Sequence, residues 1–187
     1  MRLLDILFSA VGLVVGAPIL LVLLILGWRD TGAPLFRQKR VGRGKQPFTL
    51  IKFRTMRLDT ASVATHLASA SAITPFGRFL RRTKLDELPQ LWNVLKGDMS
   101  LVGPRPCLPN QDELIQERDR RGVFAVRPGI TGLAQVNGID MSDPVRVAMV
   151  DEKMIRNLRL GDYFRFLVLT LVGKGSGDRV RQSRNTD

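Results

Sequence analysis

Cysteine, histidine and acid are the scarce residues of this chain. It holds one cysteine, Cys107, and one histidine, His66. A single cysteine excludes an internal disulfide framework and suits a reducing compartment. With no Cys/His cluster there is no ligand set for zinc. His66, alone among small residues, reads as an ordinary surface side chain. Aromatic residues make up only 6% and do not interleave with the arginines, which weakens a single-strand nucleic-acid reading built on stacking platforms. Acids are outnumbered, 17 against 29 Lys and Arg, for a net charge of +12. Such an excess points to a polyanionic partner: nucleic acid, an anionic membrane surface or a phosphorylated substrate. The 187 residues suit one domain with a modest core.

Charge is missing altogether from Ile6 to Trp28, a run rich in Leu, Val and Ile. As a helix it would measure about 34 Å, against a hydrocarbon core about 30 Å thick. It is too long for the apolar part of a signal peptide, and no small-x-small cleavage site follows it. A basic block comes next: Arg29, Arg37, Lys39, Arg40, Arg43 and Lys45. The positive-inside rule keeps this block on the cytoplasmic side. Pro18, near Gly12 and Gly16, lacks an N–H and crowds the carbonyl of Val14, so the helix is expected to break or bend there. A bent helix can enter one leaflet and return, and a kinked helix can span. Residue physics leaves both open.

Leu35–Val41 and Phe48–Phe53 are β-prone runs around Gly42-Arg43-Gly44-Lys45, the pattern of a hairpin. Residues 59–72 are small and polar and read as a loop or a weak helix. Phe76 and Phe79 alternate with Arg78, Arg81 and Arg82 in a segment that suits either the lipid headgroup region or a helix with its Phe face in the core. Gln111–Arg121 reads as a charged, solvated helix. Arg127–Gly132 and Asn137-Gly138 read as tight turns. Asp151–Arg159 and Asp162–Val172 read as two further helices, the second apolar but too short to span. The stretch 174–187 is rich in Gly and Arg and is expected to be disordered.

Where acids are scarce, their placement counts. Asp86 and Glu87 are adjacent, behind Arg78, Arg81 and Arg82 and ahead of Arg105. Leu88, Leu91, Trp92 and Leu95 have the spacing of one helix face, and Gly97 is a natural stop. Pro89 then belongs to the first turn, which puts the two carboxylates near a helix N-terminus, where free N–H groups also favour a bound phosphate. A cap and an ordinary first-turn acid would look the same. Gly103-Pro104-Arg105-Pro106 can be neither helix nor central strand. It presents Arg105 from a stiff loop, and Arg is the side chain best suited to bidentate phosphate contact.

Taken together, these segments resemble the bacterial sugar transferases, specifically the small monotopic phosphoglycosyl transferases. The matching stretches are Phe36-Arg37-Gln38-x-Arg40-x-Gly42, Lys52–Met56, Leu85–Gln90, Asn93–Ser100, Gly103–Pro106 and Arg127–Gly138, in the family's order. The resemblance implies transfer of a sugar-1-phosphate from a UDP-sugar to a polyprenyl phosphate, usually undecaprenyl phosphate, with release of UMP. It implies Asp86 as the nucleophile of a phosphosugar-aspartate intermediate, Glu87 as its partner, and Mg²⁺ held in part by Asp86. Lys52, Arg54, Arg81, Arg105 and Arg127 are the expected phosphate-binding cations. Asp151 and Asp162 are the candidates for a further acid from the C-terminal helices. The family's monotopic members use a re-entrant helix broken at a proline, often in a Ser-Pro pair; here the pair is Ala17-Pro18, which lacks the hydroxyl that could satisfy the freed carbonyl, and the resemblance still implies the re-entrant form.

The fold expected is therefore α+β and mostly helical. It has a re-entrant membrane helix (residues 1–30), a short β-hairpin, interfacial amphipathic helices and a small catalytic core (31–173) on the cytoplasmic face of a bacterial inner membrane. The expected partners are the UDP-sugar, undecaprenyl phosphate and membrane lipids, with no role for nucleic acid. Small members of the family commonly take N-acetylated amino sugars, and a plain UDP-hexose is the alternative. The larger members add spanning helices upstream that this sequence does not show. A membrane-anchored basic binding module would also explain the charge, but it would need neither Asp86 nor Glu87.

Overall fold

The structure, a computed structural model, describes residues 1–60 and 70–173. His66 and the stretch 174–187 lie outside the described residues. The apolar run forms the centre of a longer helix, α1 (Arg2–Thr31), which Gly32 closes in the left-handed conformation. Pro18 lies inside this helix and does not end it, so the expected break in helical structure is absent. Proline costs about 3 kcal/mol in a helix through one lost hydrogen bond and one crowded carbonyl. The apolar turns on either side keep their own bonds and carry the helix through. Among the described residues, α1 is the one helix long and apolar enough to cross a membrane.

Both ends of α1 are docked on the rest of the molecule. Near its start, Asp5 is buried and accepts hydrogen bonds from the Ser100 hydroxyl (2.9 Å), the Leu101 N–H (3.0 Å) and the Tyr163 hydroxyl (2.9 Å). Arg2 donates to the carbonyls of Val94 (2.7 Å) and Leu95 (3.0 Å). Near its end, Leu20, Leu23 and Leu24 pack with Phe53, Phe76 and Leu80, and Gly27 abuts Pro34. The outer face, with Leu7, Val14, Val15 and Leu21, is exposed.

The hairpin forms as expected. β1 (Leu35–Val41) and β2 (Pro47–Phe53) are antiparallel, with Leu35 opposite Phe53 and Val41 opposite Pro47. Alternation turns Gln38 and Arg40 inward and leaves Arg37 and Lys39 exposed. Helix α2 (Pro75–Thr83) starts at Thr74, whose hydroxyl accepts from the Gly77 N–H, with Pro75 in the first turn. Phe76 packs against the core and Phe79 is exposed, so this segment divides its aromatics between the two surroundings considered for it.

Helix α3 (Gln90–Lys96) stops at Gly97 (φ 93°). Its buried residues are Gln90, Asn93 and Val94, while Trp92 is exposed and Leu88, Leu91 and Leu95 are half-buried. The apolar stripe is therefore only partly covered: Leu88 packs with Phe53 and Leu80 and Leu91 against the main core, while Trp92 stays open. Leu91 lies against Gly12 of α1. The buried face is polar because Asn93 completes the hairpin, accepting from the Ile51 N–H (3.1 Å) and donating to the Thr49 carbonyl (2.8 Å).

Part of Arg127–Gly132 is a strand rather than a turn. β4 (Gly129–Thr131) runs parallel to β3 (Ser100–Val102). A Cβ on Gly129 would lie 2.0 Å from the Gly103 nitrogen, so only glycine lets these backbones meet. Helices α4 (Asp112–Arg120), α5 (Leu133–Val136), α6 (Pro144–Asn157) and α7 (Leu160–Leu171) complete the chain. Phe48, Val94, Met99, Val102, Met154, Tyr163 and Phe166 form the main core. The outer face of α7 exposes Phe164, Val168 and Leu171, and Phe164 meets Phe8 of α1 edge to face. The result is a mostly helical α+β fold with one long apolar N-terminal helix.

Removing the carboxylate of Asp5 would strand three donors, each costing about 1–3 kcal/mol when left unpaired in the interior. Asp5→Ala is expected to destabilise the protein by about 3 kcal/mol or more. Thermal unfolding in detergent measures this, and an unchanged melting temperature would contradict the docking of α1.

Candidate active site

Asp86 and Glu87 sit in a single 3-10 turn, Leu85–Glu87, that precedes α3 rather than inside its first helical turn. Pro89 is the residue that caps α3, which separates the pair from that helix. Leu85 and Leu88 anchor the turn by packing with Phe53 and Leu80. In consequence β2 and α2 both lie against it. Asp86 is buried and Glu87 is partly accessible.

Four charged groups converge here. The Arg105 guanidinium reaches Glu87 at 3.4 Å, with the Arg105 side chain 26% exposed. So long a contact, open to water, is worth about 1 kcal/mol or less. Lys84 is the fourth group, and its proximity to the dyad was not anticipated. Burial pulls its ammonium down from the ordinary lysine range, the charge of Arg105 adds to that, and Glu87 and Asp86 push the other way. Its position two residues before Asp86 was the available signal. Lys84 also holds a left-handed backbone (φ 57°) and ends α2 through N–H bonds to the Arg81 and Leu80 carbonyls.

The other expected cations divide. Arg81 is on α2, where its Nε donates to the Thr55 hydroxyl at 2.9 Å. Lys52 is on β2 and Arg54 directly follows that strand, with their charges 5.7 and 5.4 Å from the centre of the Phe36 ring, and Arg54 also holds the Ala33 carbonyl at 3.0 Å. Arg81 and Lys52 thus come from elements that touch the dyad turn, and Arg54 lies at the end of one of them. Arg127 does not join them. Its Nε donates to the Gly97 carbonyl (2.8 Å) at the far end of α3, beside the carbonyls held by Arg2. It serves there as a C-terminal helix cap.

The acids of the C-terminal helices also have visible partners. The Asp162 carboxylate accepts from the Arg159 N–H at 3.1 Å, in the capping box of α7. Asp151 is fully buried on α6 and pairs with Arg118 of α4 at 2.6 and 3.0 Å. Arg118 is 2% exposed, so α4 is not solvated throughout as expected. Its third contact, at 2.8 Å, is the carbonyl of Arg105. Arg40 holds the next carbonyl, that of Pro106, at 2.9 Å. Burial pushes the neighbouring Cys107 thiol up, against the pull of Arg118, so it stays protonated and inert.

Among the described residues no three His, Cys, Asp or Glu side chains converge to form a metal cage. Magnesium does not need one. It is commonly held by one or two carboxylates, substrate phosphates and water. Asp86 with Glu87 fits that donor set.

A paired acid thus stands among cations on an α+β domain that carries one long apolar helix. The family model for bacterial sugar transferases matches residues 1–174, and the chain belongs to that family. A UDP-glucose:undecaprenyl-phosphate glucose-1-phosphate transferase of Caulobacter vibrioides is 44% identical over 143 residues, 74% of this chain and 54% of its own length. An undecaprenyl-phosphate galactose phosphotransferase of Salmonella typhimurium is 36% identical over 187 residues, 90% of this chain and 39% of its own. A putative undecaprenyl-phosphate N-acetylgalactosaminyl 1-phosphate transferase of Bacillus subtilis is 44% identical over 118 residues, 62% of this chain and 66% of its own. The chain thus spans between 39 and 66% of the length of these relatives.

A left-handed lysine carries a backbone cost that glycine avoids. Lys84→Gly is expected to raise stability by about 1 kcal/mol in thermal unfolding. A lowered melting temperature would show that the Lys84 side chain contributes more than its backbone costs.

Proposed function

We propose that this chain transfers a sugar-1-phosphate from a UDP-sugar to undecaprenyl phosphate and releases UMP. The observation that carries the reading is the convergence of Asp86, Glu87, Lys84 and Arg105 at one turn, in a chain whose relatives bear the names of that reaction.

In this reading the reaction has two displacements. A carboxylate oxygen of Asp86 bonds to the β-phosphorus of the donor as the bond to the bridging oxygen breaks, and UMP leaves with the electron pair. A phosphate oxygen of the polyprenyl phosphate then bonds to the same phosphorus, and the Asp86 carboxylate departs unchanged. Phosphoryl transfer depends on positioning and charge stabilisation more than on proton chemistry. Arg105, Lys84 and Arg81 supply positive charge around the transferred group, with Lys52 and Arg54 beside them. Glu87, held apart from Asp86 by the turn, orients the incoming phosphate and accepts its proton if it arrives protonated. Mg²⁺, held by Asp86 with Glu87 alongside, would neutralise charge on the diphosphate.

The membrane placement follows the same reading. Asp5 and Gly27 are 22 residues apart, about 33 Å along a helix. A straight crossing would place them on opposite sides of a bilayer about 30 Å thick. Both dock on the same domain, which supports a helix that enters and leaves by the cytoplasmic face of the inner membrane. The exposed Phe79, Trp92, Phe164, Val168 and Leu171 extend this apolar surface. The relatives carry the names of glucose, galactose and N-acetylgalactosamine transferases, so they support the hexose alternative as well as the amino sugar expected.

The central test is UMP release with undecaprenyl phosphate and Mg²⁺ from UDP-glucose, UDP-galactose, UDP-N-acetylglucosamine and UDP-N-acetylgalactosamine. Asp86→Asn is expected to lose turnover by at least about 10³-fold and to lose the covalent phosphosugar adduct in intact-protein mass spectrometry. Full activity in that variant sinks the mechanism. Chelation by EDTA is expected to stop turnover, and added Mg²⁺ to restore it. For topology, Leu3 is 83% exposed and Cys107 is buried, so a Leu3→Cys variant reports on one site. It should resist an impermeant maleimide in intact cells, and labelling there would overturn the re-entrant placement.

A further inference from the structure

Arg118 and Asp151 lie outside the dyad cluster, yet they touch it through one atom. The planar guanidinium of Arg118 directs Nε and Nη2 to Asp151 Oδ2, at 3.0 and 2.6 Å, and Nη1 to the carbonyl oxygen of Arg105, at 2.8 Å. Neither side chain of the pair is open to water, at 2% and 0% exposure. Such a pair is weak evidence of stability, because well-packed apolar residues of similar volume often do as well or better. This one is also imperfectly satisfied. Asp151 Oδ1 is buried with no hydrogen-bond partner, a cost that calls for a reason.

The reason lies in the loop. Pro104 and Pro106 restrict φ on either side of Arg105. Arg40 holds the Pro106 carbonyl, and the Gly129 N–H holds the Pro104 carbonyl at 2.8 Å. The peptide between Arg105 and Pro106 is the remaining freedom, and it is the one that Arg118 grips. Because the guanidinium is rigid, the anchoring of its other edge by Asp151 fixes where Nη1 points. The helices α4 and α6, packed together, form a firm mount for both.

Resting on the proposed transferase reading, we propose that Arg118 and Asp151 are positioning residues for the reaction, which aim Arg105 at the phosphate by holding its carbonyl. They touch no substrate, and their effect on turnover passes through Arg105.

The test is a double-mutant cycle on kcat/KM for UMP release, using the best donor of the UDP-sugar panel, with melting temperature recorded for each variant. Arg118→Met combined with Asp151→Leu removes both charges and fills the space. It is expected to keep the melting temperature and lose about 10²-fold in kcat/KM, the scale of a misplaced group. Arg105→Ala in the native background is expected to lose about 10²- to 10³-fold. Added to the double variant, it should cost no more than a few-fold further, because the aim is already lost. An additive loss, or undiminished turnover in the folded double variant, overturns the inference while leaving the transferase reading intact. If the double variant does not fold, Arg118→Lys carries the same comparison, since its ammonium keeps the charge but cannot hold both partners. Undiminished turnover in Arg105→Ala alone would instead bring down the site reading, and this inference with it.

Discussion

The loop from Pro104 to Cys107 is gripped by guanidinium groups from two directions, and the geometry of the site depends on that grip. Arg40 reaches it from the hairpin and Arg118 from α4. Both are buried, so their hydrogen bonds act where water does not compete. Gly103 completes the arrangement by letting the backbone of Pro128 and Gly129 pass at distances that no side chain would permit. A loop held this way has little conformational freedom left to lose. In this protein the interior cations Arg40 and Arg118 build the scaffold.

Asp5 is the matching constraint on the other side of the molecule. It turns an apolar helix, which by composition alone would sit in lipid, into an element docked on β3 and α7. Burial raises the Tyr163 hydroxyl, and the hydrogen bond and charge of Asp5 raise it further, so that group remains a donor at any physiological pH. The dyad turn, packed on Phe53 and Leu80, shares its cluster with Leu20, Leu23 and Leu24 of the same helix. The apolar helix and the dyad turn are therefore parts of one packed unit.

Much of this was legible in the sequence. The hairpin, the stop at Gly97, the proline-locked loop and the acidic pair all rest on local rules: alternation, left-handed glycine, restricted φ and the rarity of adjacent acids among cations. The stripe Leu88, Leu91, Trp92 and Leu95 was legible as a helix but not in its orientation. Periodicity reports that one face is apolar, and it does not say whether core, neighbouring helix or lipid will cover it. Arg127 was expected among the phosphate-binding cations on the family resemblance, and its partner, the Gly97 carbonyl, is 30 residues away. Lys84 was hidden by its own neighbours, since a cation beside two acids looks like simple charge balance.

The sequence by itself determined the membrane-seeking helix, the cationic surface, the acidic pair and the stiff arginine loop, because each follows from residues adjacent along the chain. Tertiary structure decided that Pro18 would not end the helix, that Asp5 would be buried, and that Arg118, in a helix that reads as solvated, would pair with Asp151. It also decided which cations stand beside Asp86 and which serve as caps. These outcomes depend on partners that lie far apart in sequence. The free energy of burying a charge is set by what meets it in space, and neither composition nor spacing carries that information.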